Sequence, residues 1–193
     1  MGNIAIPKVL EEYLHEHIDE RYYSLTNSNY YLLLQKVFKA QAVPFIIKYI
    51  TEIPDRSDSY TIERWKQLIA ILWRIIQDQK QINKDTEIVA KYILPLADHK
   101  NSWARRTATR YLPNLPAEQG ITTLLKLAHD SNRNIKEEAV VGLIKLASSL
   151  KPDSLELSEL SRLQEEIYQQ KTDYVNDYMG IVIRLKNAIA SVH

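Results

Sequence analysis

Cysteine is missing from all 193 residues. That absence removes disulfides, thiolate metal sites and cysteine nucleophiles together, and it suits a cytoplasmic protein. Glycine (4) and proline (7) are scarce, so no collagen-like or long disordered tract is expected. The glycines are isolated, which leaves no phosphate-cradling loop and no Gly-x-Ser-x-Gly elbow. Long apolar runs are also lacking. The longest, Leu68 to Trp73, falls far short of the roughly 20 residues that span a bilayer. The first eight residues lack the basic start and apolar run of a secretory signal, and Ile6 stands where a myristoylation pattern needs Ser or Thr. The expectation is a cytoplasmic chain with no membrane attachment.

The chemistry of small sites is thin as well. None of the five histidines (His15, His17, His99, His129, His193) falls in a metal-ligand spacing, so no metal is expected. The pairs Glu137-Glu138 and Glu165-Glu166 are adjacent and therefore diverge on a helix, which marks no acid–base couple. No catalytic residue and no cofactor is assigned, and an enzyme is disfavoured.

What the chain does carry is helical periodicity. Ile62, Trp65, Ile69, Leu72 and Ile76 recur at three- and four-residue spacing, as do Val175, Tyr178, Val182, Leu185, Ile189 and Val192. Breakers fall between such stretches. Pro54 to Ser59 reads as a loop, with Ser59 or Thr61 capping the next helix, and Pro113 to Pro116 ends another. Asp130 to Asn134 reads as a polar turn, and Asp153 or Ser154 caps the last section. Short links between helices imply antiparallel neighbours.

The middle of the chain repeats. At an offset of 31 residues, Leu96-Ala97 falls on Leu127-Ala128, Ala104 on Ile135, Ala108 on Ala139, Leu112 on Leu143 and Leu115 on Leu146. One helical hairpin cannot bury its apolar face alone, so such units must stack. Leu127-Ala-His-Asp130, followed by Ile135-Lys136, Ala139 and Leu143, resembles a HEAT repeat of the armadillo-related helical family. In that family a turn aspartate and a basic residue six positions later link successive hairpins. Asp130 and Lys136 keep that spacing; in the preceding unit Arg105 fills the basic position, but His99 stands where the acid belongs. The motif covers about 84–150, and Ala42 to Ile50 with residues 61–79 resembles an earlier unit. The resemblance implies an all-α fold, a short right-handed α-solenoid of about four to five antiparallel hairpins. It is read as one domain over 1–193, with capping helices 1–39, a repeat core 40–150 and a capping hairpin 151–193.

The net charge of +1 is unevenly spread: residues 1–20 carry −4, residues 100–136 carry +5 and residues 151–178 carry −4. A basic middle steers an acidic partner, although solvated helix faces would give the same counts. Within that band Trp103, Arg106 and Arg110 form a stripe beside the inward positions Ala104, Ala108, Leu112 and Leu115. A tryptophan flanked by arginines has the composition of an interface hot spot and would equally suit phosphates and stacked bases. The plainer reading has Trp103 filling a seam between repeats while the arginines reach into water. Trp65 belongs to the core stripe, whereas Trp73 and Arg74 sit at its edge and extend the candidate surface. Tyr22, Tyr23, Tyr30 and Tyr31 suggest a second contact patch.

Together these point to a non-catalytic protein-binding module: a scaffold, an adaptor or an inhibitor such as an immunity protein. The candidate partner-binding residues are Trp103, Arg105, Arg106, Arg110, Trp73, Arg74, Arg133 and Lys136, facing an acidic protein. The alternative is nucleic-acid binding, through an architecture that resembles the HEAT-like alkylpurine DNA glycosylases, although no residue-level motif of theirs carries over.

Overall fold

Helix boundaries fall where the chain supplies caps and breakers. In the computed structural model, which describes residues 2–16, 29–56, 58–80, 85–152, 154–169 and 176–192, no strand occurs among the described residues. The protein is all-helical. No helix among those residues is long and apolar enough to cross a membrane. Contacts gather into two compact units, Met1–Tyr92 and Ile93–His193. The division falls inside the 40–150 stretch read above as the repeat core.

The first unit holds α1 (Gly2–Glu16), α2 (Asn29–Leu32), α3 (Val43–Glu52), α4 (Ser59–Lys80) and α5 (Asp85–Ile88). Between α2 and α3 the chain passes through a π turn, Leu33–Phe38, and a 3-10 turn, Lys39–Ala42. α3 packs on α4, and both bury aliphatic side chains, Val43, Ile46 and Ile50 from α3 and Leu68, Leu72 and Ile75 from α4. Trp65 joins this core as expected. Two details of α4 differ from the sequence reading. Its buried face runs through Thr61, Trp65, Leu68, Leu72 and Ile75, leaving Ile62 and Ile69 half-buried on the flank. Trp65, Leu72 and Ile76 are buried as the spacing predicts, and Leu68, Ile71 and Ile75 widen the face, because the unbroken apolar run Leu68 to Trp73 fits more than one helical register. The cap is Asp58 rather than Ser59 or Thr61: its carboxylate accepts the Thr61 N–H at 3.0 Å and the Thr61 hydroxyl at 2.8 Å. The Tyr49 hydroxyl donates to Glu11 at 2.9 Å, tying α3 to α1. Burial first, then that carboxylate, push the Tyr49 hydroxyl up to about 12.

The second unit holds a 3-10 turn, Leu94–Asp98, then α6 (Ser102–Tyr111), α7 (Ala117–Leu127), α8 (Arg133–Ala147), α9 (Leu155–Gln169) and α10 (Asn176–Ala190). Pro113 ends α6 as expected, through a 3-10 turn at Leu112–Asn114. α6 packs on the Leu94–Asp98 turn and on α8, and α8 packs in turn on α10. α7 lies against α8 and α9, and α9 against α10. Ser154 accepts the Leu157 N–H at 3.3 Å and caps α9, while the other candidate cap, Asp153, lies outside the described residues. Val182 and Leu185 are buried on α10; Val175 and the Tyr178 side chain lie outside the description. Glycine serves close packing here. A Cβ added at Gly120 would stand 2.8 Å from the Leu112 carbonyl oxygen, so α7 can approach the end of α6 only without a side chain at that position.

The 31-residue offset is physical. Each apolar pair it relates is buried in both copies: Leu96 and Leu127, Ala97 and Ala128, Ala104 and Ile135, Ala108 and Ala139, Leu112 and Leu143, Leu115 and Leu146. The turn hydrogen bonds repeat at the same interval. The His99 N–H donates to the Leu96 carbonyl at 3.1 Å, and the Asp130 N–H to the Leu127 carbonyl at 3.1 Å. The Asn101 side chain accepts the Trp103 N–H at 2.8 Å, and Asn132 accepts that of Asn134 at 3.0 Å, so one N-cap recurs on α6 and α8. His99 even takes the aspartate's local duty. Its Nδ1 accepts the Asn101 N–H at 3.1 Å, as Asp130 Oδ1 accepts the Asn132 N–H at 2.8 Å.

Candidate functional site

The Asn101 cap sets the rotation of α6 and so decides where its aromatic and basic side chains go. Ala104, Ala108, Leu112 and Leu115 point inward as expected. Trp103 is buried too, only 4% exposed, with the Arg106 guanidinium carbon 5.7 Å from its ring centroid. It therefore offers little apolar plate to a partner, and its packing is that of the seam-filling alternative.

Arg105 is committed to the turns. Its Nε and Nη2 grip Asp130 at 2.6 and 3.1 Å, and its Nη1 donates to the carbonyls of His99 and Lys100 at 3.0 and 2.8 Å. The guanidinium thus joins the turn before α6 to the turn before α8. Burial raises the Asp130 pKa, but the Arg105 and Asn132 hydrogen bonds, with Arg105 and Lys136 charges behind them, outweigh it and hold the carboxyl below its ordinary value.

Arg106 and Arg110 converge on Glu138. Arg106 reaches Glu138 Oε1 through Nη2 at 2.8 Å and Nε at 3.0 Å, and Arg110 Nη2 reaches the same oxygen at 3.0 Å. The Thr109 hydroxyl adds a longer contact to Oε2, 3.3 Å. Here too burial pushes the carboxyl up and the two arginines pull it further down. Sequence reasoning missed Glu138 as an organiser. The 31-residue offset sets Glu138 level with Thr107 but does not show which face of α8 meets α6.

Arg133 pairs with Glu137 at 2.7 Å along α8, and Lys126 pairs with Asp98. Adjacent Glu137 and Glu138 do diverge, Glu137 to Arg133 and Glu138 to Arg106 and Arg110. Lys136 is half-buried near Asp130 and Lys100 is exposed. The basic band is consequently milder than a count over 100–136 suggests. Widened to 98–138, it takes in Asp98, Glu137 and Glu138 and carries +2. The acids that balance it sit just past the edges of the narrower window.

Trp73 and Arg74 belong to the first unit, on α4. Trp73 is 42% exposed and Arg74 is exposed beside it. Further along α4, Asp78 accepts hydrogen bonds from Gln35 at 3.0 Å and Lys36 at 3.4 Å. Leu32, Leu33 and Val37, on and beside the π turn, are large exposed apolar side chains that the sequence reading passed over. Of the proposed tyrosine patch, Tyr30 is half-buried, and Tyr22, Tyr23 and the Tyr31 side chain lie outside the description. Among the described residues no three His, Asp or Glu side chains gather where they could hold a metal. Compared with protein-family models, curated proteins and solved structures, the chain matches none.

Proposed function

We propose that the chain is a HEAT-like helical-repeat protein, a short right-handed solenoid of four to five hairpins, serving as a non-catalytic binding module for another protein in the cytoplasm. The repeat reading is supported by the recurrence of buried pairs, N-caps and turn hydrogen bonds at 31 residues, and by the Arg105–Asp130 link between successive turns. The observation that carries the binding reading is Trp73. A partly exposed tryptophan beside an exposed arginine is the composition on which interface energy concentrates. In the second unit Arg110 and Arg133 are exposed but paired with Glu138 and Glu137, so the first unit's Trp73 and Arg74 carry the binding reading.

Nucleic-acid binding of the kind that resembles alkylpurine DNA glycosylases has less support. Arg105, Arg106, Arg110 and Arg133 each already face a carboxylate, which phosphates would have to displace.

A photocrosslinking residue at position 73 in the native host, followed by purification of the captured protein, tests the reading. Binding of that protein should weaken about tenfold or more in Trp73→Ala, and a smaller loss is expected for Arg74→Glu. Equal affinity in wild type and both variants, each shown to be folded, overturns it.

A further inference from the structure

The π turn Leu33–Phe38 has two opposed faces. Leu34 and Gln35 are buried where the turn packs on α1 and α4, and the Gln35 amide is held by Asp78. Leu33 and Val37, four residues apart, point to solvent with Leu32 beside them, and Val37 is 63% exposed. The conformation carrying them is costly. A π turn breaks the usual helical hydrogen-bond ladder, and Lys39 at its end adopts φ 50° and ψ −131°, a region a side chain disfavours. That geometry displays three aliphatic side chains where an ordinary turn would have another register.

The charged side chains on the π turn and at its end, Lys36 and Lys39, are both cationic and exposed. Along the sequence no acidic residue stands between Glu20 and Glu52. Lys36 flanks the aliphatic patch, 61% exposed and held in place by a long 3.4 Å contact to Asp78 that offsets part of its charge, and Lys39 is the second exposed cation there. Arg74 lies one helical turn before Asp78 on α4, so the cationic edge continues toward Trp73.

We propose that Leu32, Leu33 and Val37, edged by Lys36 and Lys39, form the docking site for an acidic amphipathic helix of a partner protein. This rests on the protein-binding reading above and names the chemistry of the partner. Two or three aliphatic anchors at helical spacing match the apolar stripe of such a helix, and its flanking carboxylates meet the lysines. A lipid surface fits less well. Interfacial segments insert a long apolar face or rely on clusters of four to eight cations, and this patch has neither.

The test uses the full chain and a fluorescein-labelled helical peptide bearing leucines at i, i+3, i+4 and i+7 with glutamates between them. A scrambled peptide of the same composition and phosphatidylserine vesicles serve as comparisons. Wild type should bind the patterned peptide and neither comparison. Val37→Asp and the milder Val37→Ser should weaken binding by about tenfold or more, and Lys36→Glu with Lys39→Glu should do so in a salt-dependent way. These side chains are exposed, so thermal melts should confirm an intact fold. No binding of the patterned peptide, equal binding of the scrambled one, or vesicle binding lost in Val37→Asp each overturn the proposal. A partner captured at Trp73 that binds Val37→Ser normally also overturns it while leaving the general reading intact. Peptide binding lost in Val37→Ser but unchanged in Trp73→Ala supports it and counts against the α4 surface.

Discussion

Arg105 and Asp130 stand 25 residues apart in sequence and close on each other through two nitrogens and two oxygens, with side chains 17% and 6% exposed. A nearly buried pair of this kind gains its value from geometry, and removing one partner strands the other.

Arg105→Ala should therefore destabilise the protein by about 3 kcal/mol, because Asp130 is left buried and the His99 and Lys100 carbonyls lose a donor. Asp130→Ala should cost a similar amount. The double variant should cost clearly less than the two single losses added together. Urea unfolding of the full chain measures all three. Additive losses would mean that the two side chains do not depend on each other.

Acid should loosen the second unit first through Asp130 and Glu138. Both carboxyls are depressed on folding, so their contribution is complete above their unfolded-state values and is lost as pH falls through the folded ones. Stability should be flat from neutral pH to about 5 and then fall below about 4, where model carboxylates titrate. Trp103 fluorescence in a Trp65→Phe, Trp73→Phe background reports this unit. Glu138→Gln should flatten part of the acid slope, and an unchanged slope in that variant would remove Glu138 from the account.

Two glycine substitutions should move stability in opposite directions. Gly120→Ala presses a methyl group against the Leu112 carbonyl and Leu146 Cδ1, and should cost about 1–3 kcal/mol before a helix-propensity gain of about 1. Gly180→Ala on α10 meets nothing within 4 Å and should stabilise by about 0.5–1 kcal/mol. Thermal melting distinguishes them; shifts of the same sign would contradict the packing described at Gly120.

Lys39→Gly should stabilise the first unit by about 1 kcal/mol, since glycine accepts the φ of 50° without a Cβ clash. Lys39→Ala, which keeps the Cβ, should give no such gain. Equal melting temperatures for the two variants would show that the backbone there relaxes freely.

Much of the fold was legible because periodicity, proline and capping residues act locally. The 31-residue offset located the turns at His99 and Asp130, and the inward positions of α6 were read correctly from spacing alone. Two kinds of feature escaped. Register within the run Leu68 to Trp73 was ambiguous, since every residue in it is apolar and only the packing of α3 and its neighbours selects a face. The fate of the arginines was hidden as well. Whether a guanidinium meets solvent or a carboxylate depends on the helix alongside, so Glu138 became visible only once α6 and α8 were placed side by side. The exposed aliphatics at Leu33 and Val37 follow from a π turn, which no helical wheel anticipates.

The matching turns at Asn101 and Asn132 give this chain a natural quantum of length. Deleting residues 101–131 would bring Lys100 directly onto Asn132, with His99 Nδ1 placed to receive the Asn132 N–H as it now receives that of Asn101. The cut would remove Arg105 and Asp130 together, but it would also take Arg106 and Arg110 and leave Glu138 without those partners. The offset thus sets a length of chain whose excision keeps the Asn132 cap on the helix that follows.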